Sequence, residues 1–153
     1  MVPPFIRGAQ NPIWTTILRT GDSLADIKIW CLLTTVAPSN VDVPAAAAIG
    51  FRFSASAGDT HFVGVCASSG AARTVSASVG DDAVAVSTLY RLQVRKVDTS
   101  VFFSVNGSDE VEVTTNLPAD TTTLTWYCYI VTNTAATKFF TWYRHHYRAL
   151  LDP

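Results

Sequence analysis

The chain carries acids, imidazoles, hydroxyls and thiols, and their spacing decides what chemistry is open to them. Two carboxylates can cleave a glycosidic bond only when both face one groove at a separation set by that bond. Asp81-Asp82 fall in a turn-like stretch, and Asp109, Glu110 and Glu112 follow an Asn106-Gly107 pair, Glu110 and Glu112 on the same outward face of a short strand. These acids read as solvated turns and an exposed face, so no catalytic pair is assigned. No serine sits in a GxSxG elbow, which leaves a Ser-His-Asp arrangement without support.

Metal chemistry fares no better. His145 and His146 are consecutive, and neighbours on a strand point to opposite faces, so regular β geometry cannot aim both at one ion. His61 stands alone. Asp59, Asp81, Asp82 and Asp120 are loop acids without the clustered spacing of a calcium loop. Cys31, Cys66 and Cys128 are odd in number, widely spaced and without a CxxC pair; they read as free thiols that pack on strands as small hydrophobes. No metal and no cofactor is expected.

The residues that stand out are aromatic. In LYRLQVRKVDTSVFFSVNGSDEVEV, Leu89 to Val113, the residues Tyr90, Leu92 and Val94 alternate with Arg91, Gln93 and Arg95, and Val101, Phe103 and Val105 alternate with Phe102 and Ser104. The Asn-Gly pair predicts a reversal, because both residues tolerate the positive φ of a type I′ turn. With the first set facing the core, Phe102 faces out. The same parity reading puts Leu124, Trp126, Cys128 and Ile130 inside with Phe139, Thr141, Tyr143 and Tyr147, and sends Tyr127, Tyr129, Phe140 and Trp142 outward. Phe102, Tyr127, Tyr129, Phe140 and Trp142 together would form an interface or ligand platform, unless the N-terminal arm or a long loop of the same chain covers them.

The elements that position these residues are strands. Apolar alternation at period two recurs in short segments near 14–19, 26–35, 47–55, 60–67, 72–79, 88–96, 100–106, 110–115, 124–132 and 137–148, separated by Gly, Pro, Asn, Asp or Ser. No segment sustains helical spacing. The reading is all-β, an antiparallel two-sheet sandwich, with Ile27, Ile29, Cys31, Leu33, Ile49, Phe51 and Phe53 in its core. Residues 1–13, with Pro3, Pro4 and Pro12, form an extended arm with no strand of its own, residues 14–149 the domain and 150–153 a short tail. Ala37–Ala46, APSNVDVPAA, reads as a long surface loop whose tip is a contact element.

Composition narrows the partners. The 153 residues suit one domain, and the formal charge of -1, with no Lys/Arg stripe, lacks the footprint of a nucleic-acid binder. Charged residues make up only 15%, so copies of the chain repel one another weakly. MVPPFIRGAQNP contains no apolar signal region and no later stretch is long and uncharged enough to cross a bilayer; no secretion signal and no membrane partner are expected.

The run SASAGDTHFVGVCASSGAARTVSASVGDDAVAVSTLYRLQVRKVDTSVFFSVNG, followed by TTNLPADTTTLTWYCYIV and TAATKFFTWYRHHY, resembles the concanavalin A-like, jelly-roll lectin domains of bacteriophage structural proteins. The likeness lies in the order of a GDT turn, an RTV segment, an LYRLQV strand, a VFFSVNG hairpin, an NLP loop and a closing aromatic strand, across most of residues 14–148. It departs from that pattern at Leu32 and at His61-Phe62. The resemblance implies a jelly-roll fold and a non-enzymatic virion structural protein, made in the bacterial host cytoplasm and carried in the particle. The expected role is a capsid decoration or spike protein that docks on the major capsid or another virion protein and on copies of itself, a trimer suiting local threefold sites. The alternative is a glycan-binding tail-fibre or receptor-binding module for a host surface glycan. A third class, a glycan-cleaving enzyme, enters because related folds include glucanases.

Overall fold

A computed structural model describes residues 6–7, 11–69, 72–132 and 140–148. Its strands are β1 Ile6–Arg7, β2 Ile13–Thr20, β3 Ile27–Thr34, β4 Ala48–Ser54, β5 Phe62–Ala67, β6 Arg73–Val79, β7 Leu89–Val97, β8 Ser100–Val105, β9 Val111–Val113, β10 Thr123–Thr132 and β11 Phe140–Arg148. They form a six-stranded sheet in the order β1-β10-β3-β4-β5-β6 and a five-stranded sheet in the order β11-β2-β7-β8-β9. Every pairing is antiparallel. The chain is an all-β, two-sheet sandwich of jelly-roll type. Among the described residues helical structure is confined to one short 3-10 turn, Ala55–Ala57.

The core forms where the period-two faces meet. Trp14, Leu18, Tyr90, Leu92, Val94, Val101, Phe103 and Val105 project from the five-stranded sheet against Ile27, Ile29, Cys31, Leu33, Ile49, Phe51, Phe53, Phe62 and Cys66 of the other. The rings meet edge to face, Phe51 on Phe103 with centroids 5.4 Å apart and Phe62 on Tyr90 at 5.3 Å, the arrangement favoured by the ring quadrupole. Phe103 needs room, and a register shift in β5 between Val63 and Val65 supplies it with Gly64. A Cβ on Gly64 would stand 2.5 Å from the Phe103 ring. Gly64→Ala should therefore overpack the core and cost about 1–3 kcal/mol, read as a lower urea midpoint with unchanged slope.

Three sequence expectations change. The arm is not without a strand: Ile6 and Arg7 pair with Leu124 and Thr123, so part of it docks on the edge of its own sheet. The loop between β3 and β4 does not simply project. Its Val36, Pro38, Val41, Val43 and Pro44 face Trp30, Leu32 and Thr34 on the outer side of the six-stranded sheet, where Trp30, Leu32, Ala48, Val63, Val65 and Ala67 make a second buried cluster. Strands β3 and β4 are consequently buried on both faces.

The third change is the parity of β11. Phe140 packs against the core, and Trp142 pairs in register with the inward Leu18, while Thr141 pairs with the outward Arg19. Shifting a strand's reading by one residue exchanges its faces, and FFTWY is apolar at both parities, so only pairing with β2 decides between them. A bulge between Trp142 and Arg144 makes Tyr143 the extra residue, and it is exposed. Phe139, the tail 150–153 and the side chains of His145 and Tyr147 lie outside the described residues.

Asn106 and Gly107 do adopt positive φ, 56° and 84°. Yet β8 and β9 first pair at Phe103 and Val111, so the connection is longer than a two-residue hairpin.

Candidate functional site

The five aromatic residues singled out by parity do not share a face. Phe102 points out from the five-stranded sheet, where the Arg95 guanidinium lies 4.2 Å from its ring centre. Arg95 in turn donates to both Glu110 oxygens, Nε at 3.1 Å and Nη2 at 2.5 Å, and that hydrogen bonding raises its pKa. Phe102 is thus half covered by a charged lid from its own sheet. Tyr127 and Tyr129 pair with Leu32 and Trp30 on β3, on the outer side of the opposite sheet, and Tyr129 packs on the second cluster.

Phe140 and Trp142 belong to the inner side, which corrects the outward assignment. Trp142 rests on Trp126 with ring centres 5.0 Å apart and donates its indole N–H to Thr16 Oγ1 at 3.1 Å. It is still 47% exposed because β11 closes the sheet at its edge. Replacing Trp142 with Ala should lower folding stability by roughly 2 kcal/mol, less than the ~3–5 kcal/mol of a fully buried tryptophan. A thermal melt of the single variant reads that loss, and an unchanged melting temperature would show the ring to be a surface group.

Among the described residues, one open area is the outer face of the five-stranded sheet where β11, β2 and β7 run side by side. Ile17 pairs with Arg91 and Arg19 with Leu89 across β2 and β7, while Thr15 pairs with His146 on β11. A depression of about 240 Å³ is lined by Thr15, Ile17, Arg91 and His146. A second, of about 670 Å³, is lined by Ile17, Arg19, Ser87, Leu89 and Tyr143. Ile17 is their common wall. Leu89 and Tyr143 are 54% and 57% exposed, so apolar surface and an aromatic ring lie beside two guanidinium groups.

Each of those arginines is oriented by a neutral acceptor. Arg19 Nε donates to the Ser87 carbonyl at 3.0 Å, and Arg91 Nη2 donates to Gln93 Oε1 at 3.0 Å. Neither forms an ion pair among the described residues. The outward alternation of Arg91, Gln93 and Arg95 is readable in the sequence, but Arg19 and Tyr143 join that face only through strand pairing and the β11 bulge.

Elsewhere several charged groups are engaged by neighbours. On the outer side of the six-stranded sheet Arg52 makes a two-pronged contact with Asp59, both bonds 2.8 Å, and Lys28 pairs with Asp42 at 3.0 Å. Burial pushes the Asp42 carboxyl up, but hydrogen bonds from Ser54 and Lys28 outweigh it and hold the pKa below its ordinary value. Lys96, at one end of the sandwich, pairs with Asp120 at 2.9 Å. Glu112 accepts from Ser100 at 2.6 Å, and Asp81 and Asp82 are exposed in a turn.

Cys31 and Cys128 are cross-strand neighbours with sulfurs 3.3 Å apart. All three cysteines are free. Burial raises the Cys31 thiol well above its ordinary value and pushes Cys66 up to about 12, so neither supplies a thiolate at neutral pH. Among the described residues no three His, Cys, Asp or Glu side chains gather as a metal-holding group. This geometry suits binding through arginine forks and apolar contact. Comparison with protein-family models and with curated proteins returns no match.

Proposed function

We propose that the chain is a non-enzymatic structural protein of a bacteriophage particle, a capsid decoration or spike subunit that docks as an oligomer, with a trimer the favoured form. The observation that carries this reading is the β11 edge. Nine residues, Phe140–Arg148, end the five-stranded sheet with no further strand beyond them among the described residues, and Trp142 and Tyr143 stand exposed along it. An edge strand offers unpaired backbone groups that a neighbouring chain can complete, and exposed rings beside it supply apolar contact at low entropy cost. The order of sequence features shared with jelly-roll domains of phage structural proteins adds to this support. The partners are copies of the chain and the major capsid or another virion protein, and the location is the virion.

Sedimentation tests the association directly. The expected result at micromolar protein is a species of three chain masses. A 16.5 kDa monomer at that concentration would remove the oligomer from the proposal.

A second reading, a glycan-binding tail-fibre or receptor-binding module, is favoured by the depression beside Tyr143 and Leu89, because an exposed ring flanked by hydrogen-bond donors can stack on a sugar.

A further inference from the structure

We propose that the outer face of β11, β2 and β7 binds an acidic sugar chain, with Arg19 and Arg91 taking its carboxylates and Tyr143 stacking on a ring. The inference rests on the glycan-binding reading and names the class of glycan. Arg19 and Arg91 occupy diagonal positions across β2 and β7 on one face of the sheet, a separation of about 7–8 Å between backbones. Adjacent sugar units on one chain can engage both.

The arrangement is suited to carboxylates. Arg19 uses Nε on the Ser87 carbonyl and Arg91 uses Nη2 on Gln93, so each fork is steered while its other N–H groups stay available for a two-pronged contact. Two acids on this face are already engaged, Glu110 by Arg95 and Glu112 by Ser100. Arg19 and Arg91 form no ion pair among the described residues, so the β2–β7 half offers two guanidinium groups to an anion on a chain whose formal charge is -1. Ile17 lines both depressions, and Leu89 and Tyr143 line the larger one, giving the C–H faces of a sugar an apolar and aromatic surface. A duplex backbone would need a far longer basic stripe.

Calorimetric titration of the full chain with polygalacturonate and, separately, with polysialic acid tests this, with neutral dextran and single-stranded DNA as comparisons. At least one acidic polysaccharide should bind, more weakly as salt rises, and dextran should bind far less. Arg19→Gln and Arg91→Gln should each weaken binding about tenfold, or about 1.4 kcal/mol, without moving the melting temperature, since both side chains are exposed. Arg91→Lys should recover only part of the loss, because it keeps the charge and not the fork, and Tyr143→Ala should weaken binding as well. Arg73→Gln, on β6 of the other sheet, should change nothing.

Four results would overturn the site: neither acidic polysaccharide binding at millimolar sugar, the arginine variants binding as the parent does, Arg73→Gln losing as much as they do, or DNA competing equally. Sedimentation of the same samples reports on oligomerisation independently, so loss of one reading leaves the other standing.

Discussion

Gly50→Ala is expected to lower folding stability by at least about 3 kcal/mol, the upper end of what overpacking costs. Gly50 lies in the middle of β4, paired with Leu32 on one side and Val65 on the other. A Cβ there would stand 2.1 Å from the Cys31 carbonyl oxygen and 2.8 Å from the Leu32 Cα. Those are backbone atoms of the neighbouring strand. No rotamer change relieves the clash, so β3 and β4 must separate, in a strand pair buried on both faces. Against a typical total of about 5–15 kcal/mol, such a loss leaves little margin. Urea unfolding measures it, and a midpoint within error of the parent would show that β4 can shift freely. Gly64→Ala is the milder counterpart, because what it strikes is a side chain.

Arg52→Met should cost about 3–5 kcal/mol, the range for removing one partner of a buried ion pair. The Arg52 and Asp59 side chains are 9% and 7% exposed. Without the guanidinium, the Asp59 carboxylate keeps the Ser54 N–H at 2.9 Å and loses both charged bonds. Arg52 also donates to the Asp42 carbonyl, so its loss frees one point of attachment of the loop above. The double variant Arg52→Met/Asp59→Leu should recover part of the stability, because it removes the stranded charge along with its partner. A double variant no better than Arg52→Met would mean that the loss comes from the loop attachment and from packing instead.

Much of the architecture was legible because it is written at period two. The ten segments read from alternation all overlap observed strands, and the inward sides of β3, β4, β7, β8 and β10 follow from it directly. Where alternation carries no information the reading failed. FFTWY is apolar at both parities, so alternation alone sends Phe140 and Trp142 outward, and pairing with β2 turns them to the inner side. In IKIWCLLT the nearly continuous apolar run signals a strand covered on both sides, and the covering segment is the proline-containing loop that follows it. Lys28 and Arg52 are buried because Asp42 and Asp59 reach them from loops, a placement no local pattern carries. Arg19 and Arg91 meet only through the β2–β7 register, which brings together distant stretches of chain.

The loop folded over the six-stranded sheet also decides where foreign sequence can be added. It has the length, prolines and exposed outer residues of a segment that looks safe to interrupt. Its underside, however, roofs Trp30 and Leu32, and Asp42 within it accepts from Ser54 at 2.5 Å and pairs with Lys28. A tag or displayed peptide spliced there would lift the roof and turn a sealed hydrophobic patch into an adhesive one. The Asn106-Gly107 turn is the better graft point, provided Asn106 is kept for its two 2.8 Å bonds to the Arg91 backbone: both residues are exposed, and a Cβ on Gly107 would meet no atom within 4 Å. A cargo fused at that turn would leave both packed layers undisturbed.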